Sequence, residues 1–317
     1  MKFSLIICGY NEEKNIDACI KSCLEQNYPN DEYEIIYVDN NSKDKSLELA
    51  KKYPIICLTE IKQGLSEARN CGINNSKGEI LVFLDVDLKL DKDYLKNHEK
   101  TFESKIVGAG GGKVLPIIKT WVSNYLGVSL FEGYPRFLKN KYVRTYPGCN
   151  LTIRKSVLKK VGLFKEGLIT SEGITRFAED KDICERIREA DFKILYNSKA
   201  IVYHKNTYNL KQLIKIWFKG AKGRVAMIKL EKKDPFSLLF KYNLPIFSVF
   251  LFSFLLFINI NLSLAIFLLF IVISFSFSFK LFIETGMFFQ SFFIKPWMDI
   301  FSILIINFGV VYNKIKK

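Results

Sequence analysis

The chain holds only two histidines, no Cys-x-x-Cys pair among its seven cysteines, and not one charged side chain between positions 244 and 279. Cysteines at 8, 19, 23, 57, 71, 149 and 184 are odd in number and unclustered, which excludes a zinc ribbon or a disulfide framework and fits reduced thiols. Met1-Lys2 opens on an apolar run too short for the h-region of a signal peptide, so the N-terminal part is expected to remain in the cytoplasm. The sequons at Asn40, Asn74 and Asn150 would then never meet a glycosylating enzyme. No phosphate loop is present, because Val107 and Val114 occupy the positions flanking Gly112-Lys113 that need Gly and Ser or Thr. The dinucleotide pattern fails as well, with Lys113 where its third Gly should stand. The glycines 108 and 110–112 read instead as a strand approached closely by a neighbour, or as a bulge. A net charge of +15 would suit nucleic acid, but no recognition motif accompanies it, so no nucleic-acid partner is expected.

What is present is unevenly distributed. Of 28 Phe, 17 lie from Leu244 onward, and that segment carries only +3 of the net charge. Residues 244–279 would form a helix of about 54 Å, nearly twice the hydrocarbon core of a bilayer. Asn259-Ile260-Asn261 divides it into expected spans near 244–259 and 262–279, each slightly short. Lys241 and Lys280 flank the pair and place both ends on the cytoplasmic side. A third apolar run, 297–312, either spans or is re-entrant; Lys314, Lys316 and Lys317 behind it favour the re-entrant or interfacial form. Ahead of the anchor, 209–233 mixes Lys and Arg with Leu, Ile, Trp and Phe at helical spacing, as in a basic segment resting on anionic headgroups. The expected organisation is a domain over 1–208, an interfacial segment over 209–240 and a membrane anchor over 241–317.

Within 1–208, apolar runs at 3–8, 33–38, 55–58 and 79–84 alternate with helical patterns at about 12–26, 42–53 and 66–75. Ser42 is expected to cap the second helix. Four such alternations with short connections indicate a parallel, doubly wound α/β sheet. Ligands of such sheets sit beyond the carboxyl ends of the strands, which here carry Gly9-Tyr10-Asn11, Asp39-Asn40-Asn41 and Asp85-Val86-Asp87. Asp85 and Asp87, one residue apart at a strand end, suit a divalent ion whose shell diphosphate oxygens would complete. Glu179-Asp180 open a helical pattern, where acids either favour the helix dipole or supply a general base. Lys62, Arg69 and Asn70 either meet phosphate or form a solvated face, and His204, ending an apolar strand, is either structural or a ligand.

In order along the chain stand SLIICGYNEE at 4–13, IIYVDNNSKD at 35–44, GLSEARNCGINNSKGEILVFLDVD at 64–87, PGCN at 147–150 and EDKDICERIREADFKILY at 179–196. On these motifs the chain resembles the family 2 glycosyltransferases of the GT-A fold, in the branch with a C-terminal membrane anchor. The resemblance covers about residues 1–205. It implies a Rossmann-like, mostly parallel sheet with flanking helices, followed by helical membrane segments. It implies that Asp39 recognises the nucleotide base, with Tyr10, Asn11 and Glu12 beside it, and that Asp85 and Asp87 hold a divalent metal, Mn or Mg, with the donor diphosphate. By the same resemblance Arg69 contacts diphosphate or ribose, and Gly148, Cys149 and Asn150 border the donor sugar and acceptor. Asp180, following Glu179, matches the catalytic base. His204 falls where relatives place a metal or diphosphate contact, and Arg224 would reach donor or lipid phosphate.

Processive relatives carry Gln-x-x-Arg-Trp after the base; here Ile216-Trp217-Phe218-Lys219-Gly220 stands instead, which favours transfer of a single sugar. The function implied is inverting transfer from a UDP- or GDP-sugar to a lipid-linked or cell-surface glycan at the cytoplasmic membrane face. The alternatives are a polyprenyl-phosphate sugar synthase and, in a different class, a non-catalytic nucleotide-sugar-binding scaffold.

Overall fold

A computed structural model describes residues 1–118, 139–166, 169–170, 173–174, 179–205 and the single positions 214 and 283. Apart from those two positions, the segments 209–240 and 241–317, with Arg224 and all three apolar runs, lie outside the described residues. Among the described residues no helix is long and apolar enough to cross a membrane. The chain divides into one unit of Met1–Ile118 with Pro135–Asn206 and a second of Lys119–Tyr134 with Thr207–Lys317. The fold below is that of the first.

Four strands, β1 (Phe3–Gly9), β2 (Tyr33–Asp39), β3 (Ile56–Thr59) and β4 (Ile80–Asp85), run parallel in the order β3-β2-β1-β4. The helices between them are α1 (Ile16–Leu24), α2 (Ser46–Ala50) and α3 (Leu65–Asn74). On α1, Ile16, Cys19, Ile20 and Cys23 are buried, the i, i+3, i+4, i+7 stripe that seats a helix on a sheet. The connecting crossovers hold β1 and β4 in the sheet centre, where every residue of β1 is buried. Their apolar runs without alternation follow from that burial on both faces.

Beyond β4 the sheet departs from the parallel expectation and becomes mixed. After β5 (Leu88–Leu90), α4 (Tyr94–Thr101), β6 (Val107–Pro116) and β7 (Lys141–Val143), strand β8 (Asn150–Arg154) enters antiparallel between β4 and β6. Helix α5 (Lys155–Val161) follows, then the short antiparallel pair β9 (Ile169–Thr170) and β10 (Gly173–Ile174), helix α6 (Glu179–Glu189) and β11 (Lys193–His204). β11 runs parallel to β6 and takes β7 and β5 antiparallel along different stretches. The reversal lets chain from both halves return to one end of the sheet.

The glycine run is β6, and both of its expected forms occur. A Cβ on Gly111 would enter the Tyr146 ring, and one on Gly112 would enter the Ala200 backbone. The register against β11 also shifts between Lys193 and Ile194, where Gly108 is the extra residue on β6. Ser42 does not cap α2: that helix begins at Ser46, because Asp39 Oδ2 accepts the Ser42 N–H at 2.9 Å and draws the residue back into the loop.

Candidate active site

The carboxyl ends of β1, β2 and β4 stand in register, Gly9 opposite Asp39 and Cys8 opposite Asp85. Asp39 is buried, with Oδ1 accepting the Tyr37 hydroxyl at 3.3 Å and Oδ2 the Ser42 N–H. Asn11, in the left-handed region at φ 57°, donates its N–H to Ser42 Oγ at 3.0 Å and accepts the Lys43 N–H on Oδ1 at 2.8 Å. The Glu12 N–H donates to Ser46 Oγ at 2.7 Å. Asn11 and Glu12 therefore lock the β1–α1 loop to the β2–α2 loop. Tyr10, 39% exposed, and Asn11 are the open residues of that expected trio, and Glu12 is half-buried. Asn40 sets the next loop: its amide donates to the carbonyls of Glu60 and Lys62 at 3.1 and 2.9 Å, and its oxygen accepts the Gly64 N–H at 2.8 Å.

α3 carries Arg69 into the centre of the site. The guanidinium is 3% exposed, with Nη1 at 3.1 Å from Glu179 Oε1 and Nη2 at 3.9 Å from Asp85 Oδ1. Burial alone would lower its pKa, but Glu179, Asp85, Cys8 and Asp180 together raise it. Its pair partner responds differently. Burial pushes the Glu179 carboxyl up to about 7, against the pull of the Arg69 charge and with Asp180 adding repulsion. Arg69 gathers several negative neighbours, whereas Glu179 gains one cation and loses its water. Asn70 and Lys62 do not reach the cleft: Asn70 is buried and binds Phe164, and Lys62 pairs with Glu166 at 2.7 Å.

Asp180 opens α6 and is half-buried. Its Oδ2 accepts the Gly148 N–H at 3.1 Å and its Oδ1 the Lys181 N–H at 2.8 Å. Burial raises its pKa above the ordinary carboxylate value, with Arg69, the Gly148 N–H and Lys181 drawing it down. Gly148 lies against Arg69, and a Cβ there would stand 2.6 Å from Nη2. Cys149 is buried beside it and its carbonyl accepts the Asp85 N–H at 3.4 Å. Asn150 is a correction. It is fully buried as the first residue of β8, its oxygen accepts the Tyr94 hydroxyl and its amide donates to the Gly112 carbonyl at 3.2 Å, so it fastens the sheet and does not face a ligand.

Asp85 and Asp87 keep 40% and 34% of their side chains exposed. His204, buried at the end of β11, points Nε2 toward Asp87 Oδ1 at 3.6 Å. Among the described residues no three His, Cys, Asp or Glu side chains are gathered as a ligand set. Two open carboxylates still fit Mg²⁺ or Mn²⁺, hard cations held by one or two carboxylates with substrate phosphates filling the shell. His204 Nε2 lies on the Asp87 side of that pair. A cavity of about 600 Å³ lined by Leu24, Tyr33, Ile35 and Ile56 lies at the amino ends of β2 and β3, so it is not part of this site.

Two features had no sequence signal strong enough to find them. The Phe164 ring lies under Arg69, with the guanidinium carbon 5.2 Å from its centroid. The exchange of bonds between the first two loops pairs residues more than 30 positions apart.

The chain is 29% identical over 238 residues to glycosyltransferase AglE of Haloferax volcanii, covering 72% of this chain and 75% of that one. The chain spans 64% of the length of probable glycosyltransferase YdaM of Bacillus subtilis and 15% of that of glycosyltransferase GlyA of Streptococcus pneumoniae, to which it is also similar. Among solved structures it is similar to Staphylococcus aureus TarS 1–349 in complex with UDP-GlcNAc, with TM-score 0.52, 21% identity, and 72% and 67% of the two chains covered. It is also similar to the mannosyltransferase PcManGT of Pyrobaculum calidifontis in complex with GDP-Man and Mn²⁺, with TM-score 0.59, 16% identity, and 93% and 87% covered. At these identities the two structures establish a GT-A-like α/β fold. The family model of glycosyl transferase family 2 matches residues 4–162, half of the chain. With that match joined to the fold and the clustered carboxylates, the chain belongs to glycosyl transferase family 2 and is a glycosyltransferase.

Proposed function

We propose that the protein transfers a single sugar, with inversion, from a UDP- or GDP-sugar to a hydroxyl of a lipid-linked or cell-surface glycan at the cytoplasmic face of a membrane. The observation that carries this reading is Asp180. Its two oxygens are fixed by backbone N–H donors, and burial raises its basicity, which suits it to remove a proton from a neutral hydroxyl. Arg69, buried between Asp85 and Glu179, bears on the donor side through the Asp85 carboxylate, and Tyr10 and Asp39 mark the nucleotide end. Asp85 and Asp87 would hold a divalent cation, which supplies charge stabilisation to the departing nucleoside diphosphate. The incoming hydroxyl oxygen bonds to the anomeric carbon and gives its proton to Asp180 Oδ, while the anomeric carbon–oxygen bond to the diphosphate breaks and the nucleoside diphosphate departs with that electron pair. The Gly148 and Lys181 N–H groups hold that carboxylate in place during attack.

The membrane part of the proposal rests on the uncharged stretch 244–279 and on the basic segment ahead of it. The test is a panel of UDP- and GDP-sugars offered to membranes containing the full chain, with product divided between organic and aqueous phases. A sugar appearing in lipid-linked or glycan product, dependent on Mn²⁺ or Mg²⁺, is the expected outcome. Transfer from none of the donors would overturn the reading. A product from which mild acid releases the transferred sugar as a free monosaccharide, in the manner of a glycosyl phosphate, would replace it with polyprenyl-phosphate sugar synthesis.

A further inference from the structure

Asn70 follows Arg69 on α3 and grips one residue from both sides. Its Nδ2 donates to the Phe164 carbonyl at 2.9 Å, and its Oδ1 accepts the Phe164 N–H at 3.1 Å. The same Nδ2 reaches Glu166 Oε1 at 3.1 Å, and Glu166 in turn pairs with Lys62. Phe164 is 2% exposed and meets Phe83 edge-on at 5.1 Å, two residues before Asp85 on β4. Its face lies 5.2 Å from the Arg69 guanidinium carbon, and Gly148 closes the guanidinium from another side. Arg69 is thus seated on an aromatic ring whose backbone is fixed by the neighbouring residue of its own helix. The buried amide satisfies both backbone groups of Phe164, which apolar contacts cannot do, and so fixes that residue in one place against α3.

We propose that Asn70 and Phe164 are positioning residues for sugar transfer: the Asn70 clamp holds the Phe164 ring under Arg69, so that one guanidinium spans the donor-side carboxylate Asp85 and the base-side pair Glu179-Asp180. Through Gly148, which touches Arg69 and donates to Asp180, the seat also fixes the distance between diphosphate and base. The inference rests on the transfer reading above, and it makes α3 the element that keeps the two halves of the reaction in register.

The experiment compares the native full chain with Phe164→Leu, Asn70→Ala and the double variant, in membranes, using UDP-GlcNAc and GDP-mannose with Mn²⁺. The thermal midpoint of each is measured alongside, and rates are taken where all remain folded. Loss of the seat is expected to lower kcat about a hundredfold, the cost of misplacing reacting groups by about 1 Å. The acidic limb of the pH–rate profile should move upward, because Arg69 no longer draws Asp180 down while burial and the Lys181 contacts persist. The double variant should lose no more than the worse single variant, since both act through one guanidinium. Should Phe164→Leu fail to fold, Phe164→Met fills the space without a ring face and is read the same way. A folded variant with kcat within about threefold of native, an unmoved acidic limb, or losses that multiply would overturn the clamp. A native chain that transfers no sugar from any donor of the UDP- and GDP-sugar panel would instead undo the transfer reading.

Discussion

Asp180 has both oxygens on backbone N–H groups, and Gly148 supplies one of them while lying against Arg69. Asp180→Asn should lower kcat by about 10²- to 10⁴-fold with a hydroxyl acceptor, the usual worth of a general base. With a polyprenyl phosphate, already ionised near neutral pH, the same change should cost little, so initial rates with the two acceptor types separate the cases. Gly148→Ala places a methyl 2.6 Å from Arg69 Nη2, and activity should fall well before the thermal midpoint does. The acids Asp39, Asp85 and Asp87 were legible in the sequence because charge ending a buried apolar strand is costly without a partner, whereas Asp180, which a helix N-terminus favours in any case, was singled out only by the Glu-Asp motif. Asn11, Asn70 and Asn150 were not, because an amide reads the same whether it meets a ligand or closes a loop. Phe164 carried no mark at all: an aromatic under a guanidinium looks like core until the fold brings α3 to it.

At the scale of elements, the alternation of strand and helix up to Asp85 was readable, because parallel strands buried on both faces are continuous apolar runs. β8 was not readable as an antiparallel strand: Asn150, Leu151, Thr152 and Ile153 are all buried, and nothing local states the direction of a strand. The helix α2 came out shorter than its pattern because Asp39 and Asn11 claim Ser42 for the loop. That loop exchange is testable on its own. Ser46 is buried and its Oγ takes the Glu12 N–H at 2.7 Å, so Ser46→Ala should cost about 1–3 kcal/mol in urea denaturation. Weaker donor binding should accompany it, because the β1–α1 loop carries Tyr10.

For the molecule as a whole, two buried groups set opposing pH dependences. His98 is fully buried on α4 and its pKa is lowered from 6.5 to about 3 by burial. The unfolded chain binds the extra proton between those values, so the stability His98 contributes is complete above about pH 6.5 and is lost as pH falls toward 3. Glu179, raised from 4.5 to about 7, does the reverse: its contribution is complete below 4.5 and is lost as pH rises through 7. Between about pH 4.5 and 6.5 the two slopes oppose each other, each being at most about 1.4 kcal/mol per pH unit, and Asp180, also raised by burial, acts on the Glu179 side. Glu179→Gln should therefore make the thermal midpoint fall more steeply than in the native chain as pH drops below about 6.5, and an unchanged slope would refute the opposition. The proposed anchor has its own check: the full chain should stay with membranes through an alkaline carbonate wash, and release into the supernatant would remove it. A last consequence belongs to β6. Because Tyr146 and the Ala200 backbone occupy the space where side chains of Gly111 and Gly112 would stand, a comprehensive substitution scan should find a short intolerant stretch there, remote from Asp180 along the chain. Read without the fold, such a map would be mistaken for a second active centre; it would record only how tightly two strands and a ring were fitted together.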